Sequence, residues 1–535
     1  MKASGLLAFT FPLVALAAPF LDPSQLAFNI PSVVQQVLAY GKDQIGNHLE
    51  GPIYKAQDFS LDSWGLVKGW VEQEGKMFET LTHPSLPEYK LRVTEPKLCD
   101  SSVKQYSGYL DIGTDKHLWF WFFESRNKPK KDPLVLWLNG HGPGCSSSTG
   151  LLFELGPCSI QKNGTITNPY SWTESANVLF LDQPINVGFS YSDRDKVSTS
   201  PAAAEDVFAF LTMFIARYQD YKDLDFHISG ESYAGTYLPN IASVIHRNAK
   251  ALRSLGAEAP LPALKFTSIL IGNGLTDPLV QMGTGVYDYA CESKYAVFDK
   301  DSQQCRSIAA KAPTCAKLIQ SCYNTNSRFT CVPAGLYCWS SLYADFQKLG
   351  LNPYDVRKTC DKSPEKDGPL CYPQMGWVET YLNEAEIKRQ LGVPKDLEFK
   401  SCNMQVNQAF MSQGDGMHNS AALLPELLED GIRLLIYAGE TDFIYIGNLQ
   451  WLEALDSPFK VEFNQAKLSP YVVIGGKKKM GSVKVAGAQG FTAGNLAFVS
   501  IEQAGHMVPF DQPEVALDLF SRWLHNVPLV LSKPE

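Results

Sequence analysis

Runs of apolar residues that stop abruptly at small or polar ones recur along this chain, and their order outlines a fold. Tyr106 to Asp111 and His117 to Glu124 read as a hairpin around Gly113. Pro133 to Leu138 (P-L-V-L-W-L) and Ala176 to Asp182 are unbroken apolar runs of strand length, the pattern of strands buried on both faces. Ala202 to Tyr218 then carries apolar residues at helical spacing. Phe226 to Gly235 is a short strand entering a tight turn of small residues, with a helical segment, Tyr237 to Lys250, directly after it. Leu264 to Ile271, Arg433 to Ala438 and Leu496 to Ile501 supply further strands, and Pro513 to His525 a closing helix. Strands alternating with helices predict an α/β fold with a central, mostly parallel sheet. From about 277 to 430 the alternation lapses into short helical pieces, so this stretch is expected to be a mainly helical cap inserted over the sheet's loop end.

Polar residues that could do chemistry sit where these strands end. In F-H-I-S-G-E-S-Y-A-G (226–235), Ser232 lies at the apex of the turn, the arrangement of a nucleophile elbow. L-L-I-Y-A-G-E-T-D ends at Asp442, and L-A-F-V-S-I-E-Q-A-G-H at His506. Singly, each has a plain structural reading as a strand-end cap or a satisfied loop histidine. Together, the chain order Ser, Asp, His is that of a catalytic triad on the α/β-hydrolase scaffold. A glycine-rich loop, Asn139 to Gly144, follows the strand ending at Leu138. It is not a dinucleotide cradle, because Cys145 stands where the last glycine of G-x-G-x-x-G belongs. It does lie where such folds keep one oxyanion donor.

Composition narrows the picture. At 535 residues with 45% hydrophobic content the chain can bury a large core, and a net charge of −9 with 19% charged residues offers no basic field for nucleic acid. Residues 1–17 read as a signal peptide and 18–89, which lacks strand alternation and cysteine, as a pro-segment before a catalytic domain at 90–535. No later apolar run approaches 20 residues, so no membrane partner is expected. All 12 cysteines fall between Cys99 and Cys402, an even number in an oxidising compartment, where disulfides are the default. The mirror-symmetric spacing of Cys315, Cys322, Cys331 and Cys338 suggests nested bridges; a zinc set is disfavoured by the absence of C-x-x-C, and neither metal nor cofactor is expected. Asn163, in the only N-x-S/T sequon, is a candidate glycan site.

G-E-S-Y-A-G (230–235), P-G-C-S-S (143–147), L-D-Q-P (181–184) and H-M-V-P-F-D (506–511) resemble the motifs of the serine carboxypeptidases, from about Lys90 to the last helix. The resemblance implies release of single C-terminal amino acids from peptides at acid pH, in a vacuole or after secretion. It implies Ser232 as nucleophile, His506 as general base and acid and Asp442 as its partner. The N–H groups of Gly142 and Tyr233 would be the oxyanion donors, and Asn139, Gly140, Glu154 and Glu231 the carboxylate-binding set. It also implies the bridges Cys145–Cys402, Cys291–Cys305, Cys315–Cys338, Cys322–Cys331 and Cys360–Cys371, leaving Cys99 and Cys158 as an even remainder for a sixth. An esterase or acyltransferase on the same fold is one alternative, and two departures keep a weakened, binding-only protein as another. His141 is an extra residue in the family's N-G-G-P-G loop, and the stretch from Asp442 to Asn448 is about two residues short and lacks the family's unpaired cysteine. An outward bulge that keeps Gly142 facing the pocket is the expected way to absorb His141.

Overall fold

The computed structural model describes residues 66–531 apart from 85, 141, 257–258, 260, 364, 444–445 and 488–489. The expected signal peptide and residues 18–65 of the expected pro-segment lie outside the described residues. Thirteen strands form one sheet. In chain order they are β1 (Val67–Gln73), β2 (Lys76–His83), β3 (Leu86–Thr94), β4 (Gln105–Ile112), β5 (Lys116–Phe123), β6 (Leu134–Leu138), β7 (Asn177–Leu181), β8 (Phe226–Glu231), β9 (Phe266–Gly272), β10 (Arg433–Gly439), β11 (Ser469–Val472), β12 (Lys479–Ala486) and β13 (Leu496–Ile501). Across the sheet they run β1-β2-β3-β4-β5-β7-β6-β8-β9-β10-β13-β12-β11.

Neighbours from β7 to β13 in that order pair in parallel, and these are the strands the apolar runs predicted. Every residue of β6, β7 and β8 is buried, as strands covered on both faces must be. The flanks are antiparallel: β1 to β5 form a meander on one side and β12 and β11 on the other. Helices α1 (Ser200–Arg217) and α2 (Ala234–Ser254) pack against one face with Phe210, Phe214, Leu238 and Ile241 fully buried. The sequence reading put no strands before Tyr106. Yet β1, β2 and β3 complete the sheet's edge, β3 spans the expected pro-segment boundary, and Leu81, Leu86 and Leu91 are buried.

The cap is helical and heavily cross-linked. Cys315 and Cys322 lie seven residues apart on α3 (Gln303–Thr325), and Cys331 and Cys338 seven apart on α4 (Arg328–Leu342), so each pair lines one helix face two turns apart. Folding the helices back on each other brings the outer and inner pairs together, as Cys315–Cys338 and Cys322–Cys331. The bridges Cys145–Cys402, Cys291–Cys305, Cys360–Cys371 and Cys99–Cys158 account for the rest. The last of these joins the segment after β3 to the strand Cys158–Gln161. No cysteine is free.

Alkylating the unfolded, unreduced protein should therefore label no thiol, and two labelled thiols would contradict the sixth bridge. Replacing Cys99 and Cys158 with serine should lower unfolding free energy by about 2–5 kcal/mol in a urea titration.

Candidate active site

Ser232 directly follows β8 in a left-handed conformation, φ +66°, uncommon for a residue with a side chain. Its N–H donates to the Gly272 carbonyl at 2.9 Å, and its own carbonyl accepts from Leu275 N at 3.0 Å, so β9 and the loop after it pin the turn from both sides. Its hydroxyl is buried and makes no hydrogen bond among the described residues. Contacts between nucleophile and base commonly tighten only when substrate binds.

His506 and Asp442 follow β13 and β10, and both are buried. His506 Nδ1 lies 2.8 Å from Asp442 Oδ2, and the His506 N–H donates to the Tyr354 carbonyl at 2.7 Å. Asn273, which the sequence reading did not single out, sits in the G-N-G turn after β9. Its Oδ1 accepts from Gly439 N at 3.0 Å, so its amide nitrogen faces Asp442 and donates to Oδ2 at 2.9 Å. A carboxylate held by Asn273 fixes the imidazole with Nδ1 protonated and Nε2 as the acceptor.

Beside the elbow lies a buried carboxyl pair. Asn139 Oδ1 accepts from Trp137 Nε1 and from Gly150 N, each at 2.7 Å. That settles which end of the amide is which: Nδ2 donates to Glu154 Oε1 at 3.1 Å and to Glu231 Oε1 at 3.3 Å. Glu154 comes from a π-helical turn, Gly150–Leu155, and Glu231 directly precedes Ser232. Burial pushes Glu154 up to about 7. Glu231 is raised well above the ordinary carboxyl range, first by burial and then by the charge of Glu154. Asn139, Glu154 and Glu231 are thus in contact, and Gly140 follows Asn139 in the chain just past β6.

The oxyanion donors differ from expectation. The N–H groups of Gly142 and Tyr233 do converge on one point, but that point is occupied: both donate to the Gly140 carbonyl oxygen, at 2.5 and 2.6 Å. The extra residue in this loop has not left the Gly142 donor facing the pocket. Asp182 of the L-D-Q-P motif anchors the far side of the loop, accepting from Ser146 Oγ at 2.5 Å and Ser147 N at 3.1 Å. Burial pushes Asp182 up to about 7.

A second residue that sequence reasoning passed over is Asp415, in the cap. It is buried, accepts from Ser200 N (2.8 Å) and Ser200 Oγ (2.6 Å) at the start of α1, and accepts from the Tyr233 phenol at 2.7 Å. Tyr233 also lines an apolar cavity of about 230 Å³ with Gly142, Leu275, Trp339, Met411 and Met417. Next to Glu154 in the chain, Phe153 joins Tyr354, Tyr372 and Met507 in a separate buried cluster. A larger cavity, about 580 Å³, reaches the far side of Asp442 but contains neither Ser232 nor His506.

Residues 96–526 match the family model described as serine carboxypeptidase. Among curated relatives, a carboxypeptidase Y homolog A from Talaromyces stipitatus is 46% identical over 470 residues, covering 85% of this chain and 79% of the relative. A homolog of the same name from Arthroderma otae is 47% identical over 442 residues, covering 80% and 75%. Among solved structures, a prohormone-processing carboxypeptidase from Saccharomyces cerevisiae superposes with a TM-score of 0.68 at 24% identity, over 81% of this chain and 94% of that one. The last likeness is one of fold.

If Asp415 positions Tyr233, then Asp415→Ala should lower kcat/KM on the order of tenfold to a hundredfold, the range for a buried bond to a charged group. Tyr233→Phe, which removes one of its three bonds, should cost less than tenfold in the same peptide assay. Wild-type kcat/KM in Asp415→Ala would contradict the role.

Proposed function

Because the chain belongs to the serine carboxypeptidase family and is a serine-type carboxypeptidase acting on peptides, we propose that it releases single C-terminal residues through an acyl-enzyme on Ser232. The observation that carries this reading is the buried Glu154–Glu231 pair, oriented by Asn139 and joined directly to the nucleophile. A protonated carboxyl donates to a substrate's terminal carboxylate, whereas an ionised one repels it. An esterase has no use for such a pair.

In this mechanism the terminal carboxylate lies against Asn139, the Gly140 N–H, Glu154 and Glu231. That sets the last peptide bond over Ser232. His506 Nε2 takes the Ser232 proton as Oγ attacks, and Asp442 stabilises the imidazolium through Nδ1. The same proton passes to the departing amine, the free amino acid leaves, and water reverses the steps to free the serine. Gly142 and Tyr233 supply the N–H groups that stabilise the tetrahedral oxyanion, a term of about 3–4 kcal/mol per donor. The apolar cavity beside Tyr233 and the aromatic cluster beside Glu154 favour apolar side chains on both sides of the cleaved bond.

Residues 1–17 direct the chain into the secretory pathway, with the vacuole as the proposed destination. Maturation near residue 89 would remove β1, β2 and half of β3, so the pro-segment is in part a folded edge of the precursor's sheet. Arg92, just past that boundary, keeps the remainder of β3 on β4 through two bonds to Asp111, at 2.6 and 2.8 Å. Asn163, exposed in the turn between Cys158–Gln161 and Gly164–Thr167, is the proposed glycan site.

The test is pH dependence. Both carboxyls are shifted upward, so the pair holds its protons at acid pH, and Glu154 loses its proton as pH rises through about 7. If binding requires a protonated carboxyl, KM for a blocked dipeptide should climb about tenfold per pH unit above that titration. An amide-ended substrate, with no carboxylate to repel, should keep its KM. Glu231→Gln should flatten the difference, and identical profiles for the two substrates would sink the clamp.

A further inference from the structure

We infer that the enzyme rests with its oxyanion hole filled by its own Gly140 carbonyl, so that this group must swing out before Ser232 can be acylated. The inference rests on the assignment of Gly142 and Tyr233 as the oxyanion donors. Two backbone N–H groups aimed at one oxygen from 2.5 and 2.6 Å define where a tetrahedral oxygen would sit. A second oxygen cannot share that position. Other amides at the elbow are committed elsewhere: Ser232 N to Gly272 O, and Gly235 N to Ser232 O.

The loop is built for this closure. A Cβ on Gly140 would come within 2.4 Å of Ala234 N, so only glycine lets the loop press this closely on the elbow. Gly142 holds φ +89°, and Gly140, lacking a Cβ, tolerates both orientations of its own carbonyl. The family's loop, one residue shorter, has no spare length between the donor and the preceding glycine.

Energetics decide which step the plug slows. A neutral carbonyl receives two ordinary hydrogen bonds, whereas the developing oxyanion receives charge-assisted ones, roughly twice as strong. The oxyanion therefore displaces the carbonyl, but a ground-state substrate does not. Losing two neutral bonds should slow acylation by about tenfold to a hundredfold. Binding of the terminal carboxylate, which uses the Gly140 N–H with Asn139, Glu154 and Glu231 and not the Gly140 carbonyl, should be unaffected.

The experiment deletes His141 from the full chain and measures, in activated enzyme, labelling of Ser232 by a fluorophosphonate, peptide kcat, and the Kd of an uncleaved dipeptide ending in a D-residue. Deletion should raise the labelling rate and kcat about tenfold to a hundredfold and leave the dipeptide Kd within about threefold. A labelling rate that changes less than about threefold overturns the inference. Should the deletion variant fail to fold, wild-type enzyme still decides: onset of inhibition by a peptide aldehyde should saturate with inhibitor concentration, reporting the opening step. Onset that stays linear to the highest concentration overturns it. Faster labelling without release of C-terminal residues by either form would support the plug and refute the carboxypeptidase reading. Equal release and equal labelling in both forms would refute the plug alone.

Discussion

At Ser232 the backbone is held left-handed, a conformation that costs a residue with a side chain on the order of 1–3 kcal/mol and persists only when its surroundings enforce it. Here they do. Gly272 accepts its N–H, Leu275 donates to its carbonyl, and a Cβ on Gly230 would meet the Leu138 carbonyl at 2.3 Å, so β6 and β8 are in contact where the turn begins. The turn thus depends on three parallel strands at once, β6, β8 and β9. The same strand ends deliver Asn139, Glu231 and Asn273, so one constraint builds nucleophile, carboxylate site and second-sphere support together.

The parts of this arrangement visible in the sequence are those that rest on local pattern. Buried parallel strands are apolar throughout, so β6, β7, β8, β9, β10 and β13 were readable, and the residue ending such a strand is readable as a site candidate. The edge strands were not. In β1, V-K-G-W-V-E-Q, no residue is fully buried, and in β12 Gly481 interrupts the run; such strands exist because a neighbour pairs with them, which single-sequence pattern does not express. Asn273 and Asp415 went unnoticed for a related reason. An asparagine between glycines and an aspartate in a loop look like turn residues, and their roles come from partners 169 and 182 positions away.

The carboxyl pair shows how the surroundings convert ordinary side chains into a pH-dependent binding site. Two glutamates in water would ionise near their usual values. Inside the sheet's loop end, desolvation penalises the charge of each, and the first ionisation raises the cost of the second. Asn139 offsets this only in part, through the amide nitrogen it donates to both carboxyls, and its oxygen is taken by Trp137 and Gly150. The amide therefore always presents nitrogen to the pair, and to any carboxylate placed there. Trp137, one of the largest fully buried side chains, thus sets the polarity of a site it does not enter.

The oxyanion loop marks the limit of reading by residue type. An insertion is visible in the sequence as one extra residue among glycines, and its position next to the donor is visible too. What it does depends on the direction of a carbonyl, and every residue type carries the same carbonyl. Glycines widen the choice, because they admit conformations that other residues refuse. The loop's two ends are fixed, by the Asn139 amide on one side and by Asp182 and the Cys145–Cys402 bridge on the other, so the added length has to be absorbed between them. A backbone with excess length, held between fixed ends beside the N–H groups of Gly142 and Tyr233, gains stability by turning its own carbonyl onto them. The motif that gives the loop its precision in a shorter chain is therefore what closes it in this one.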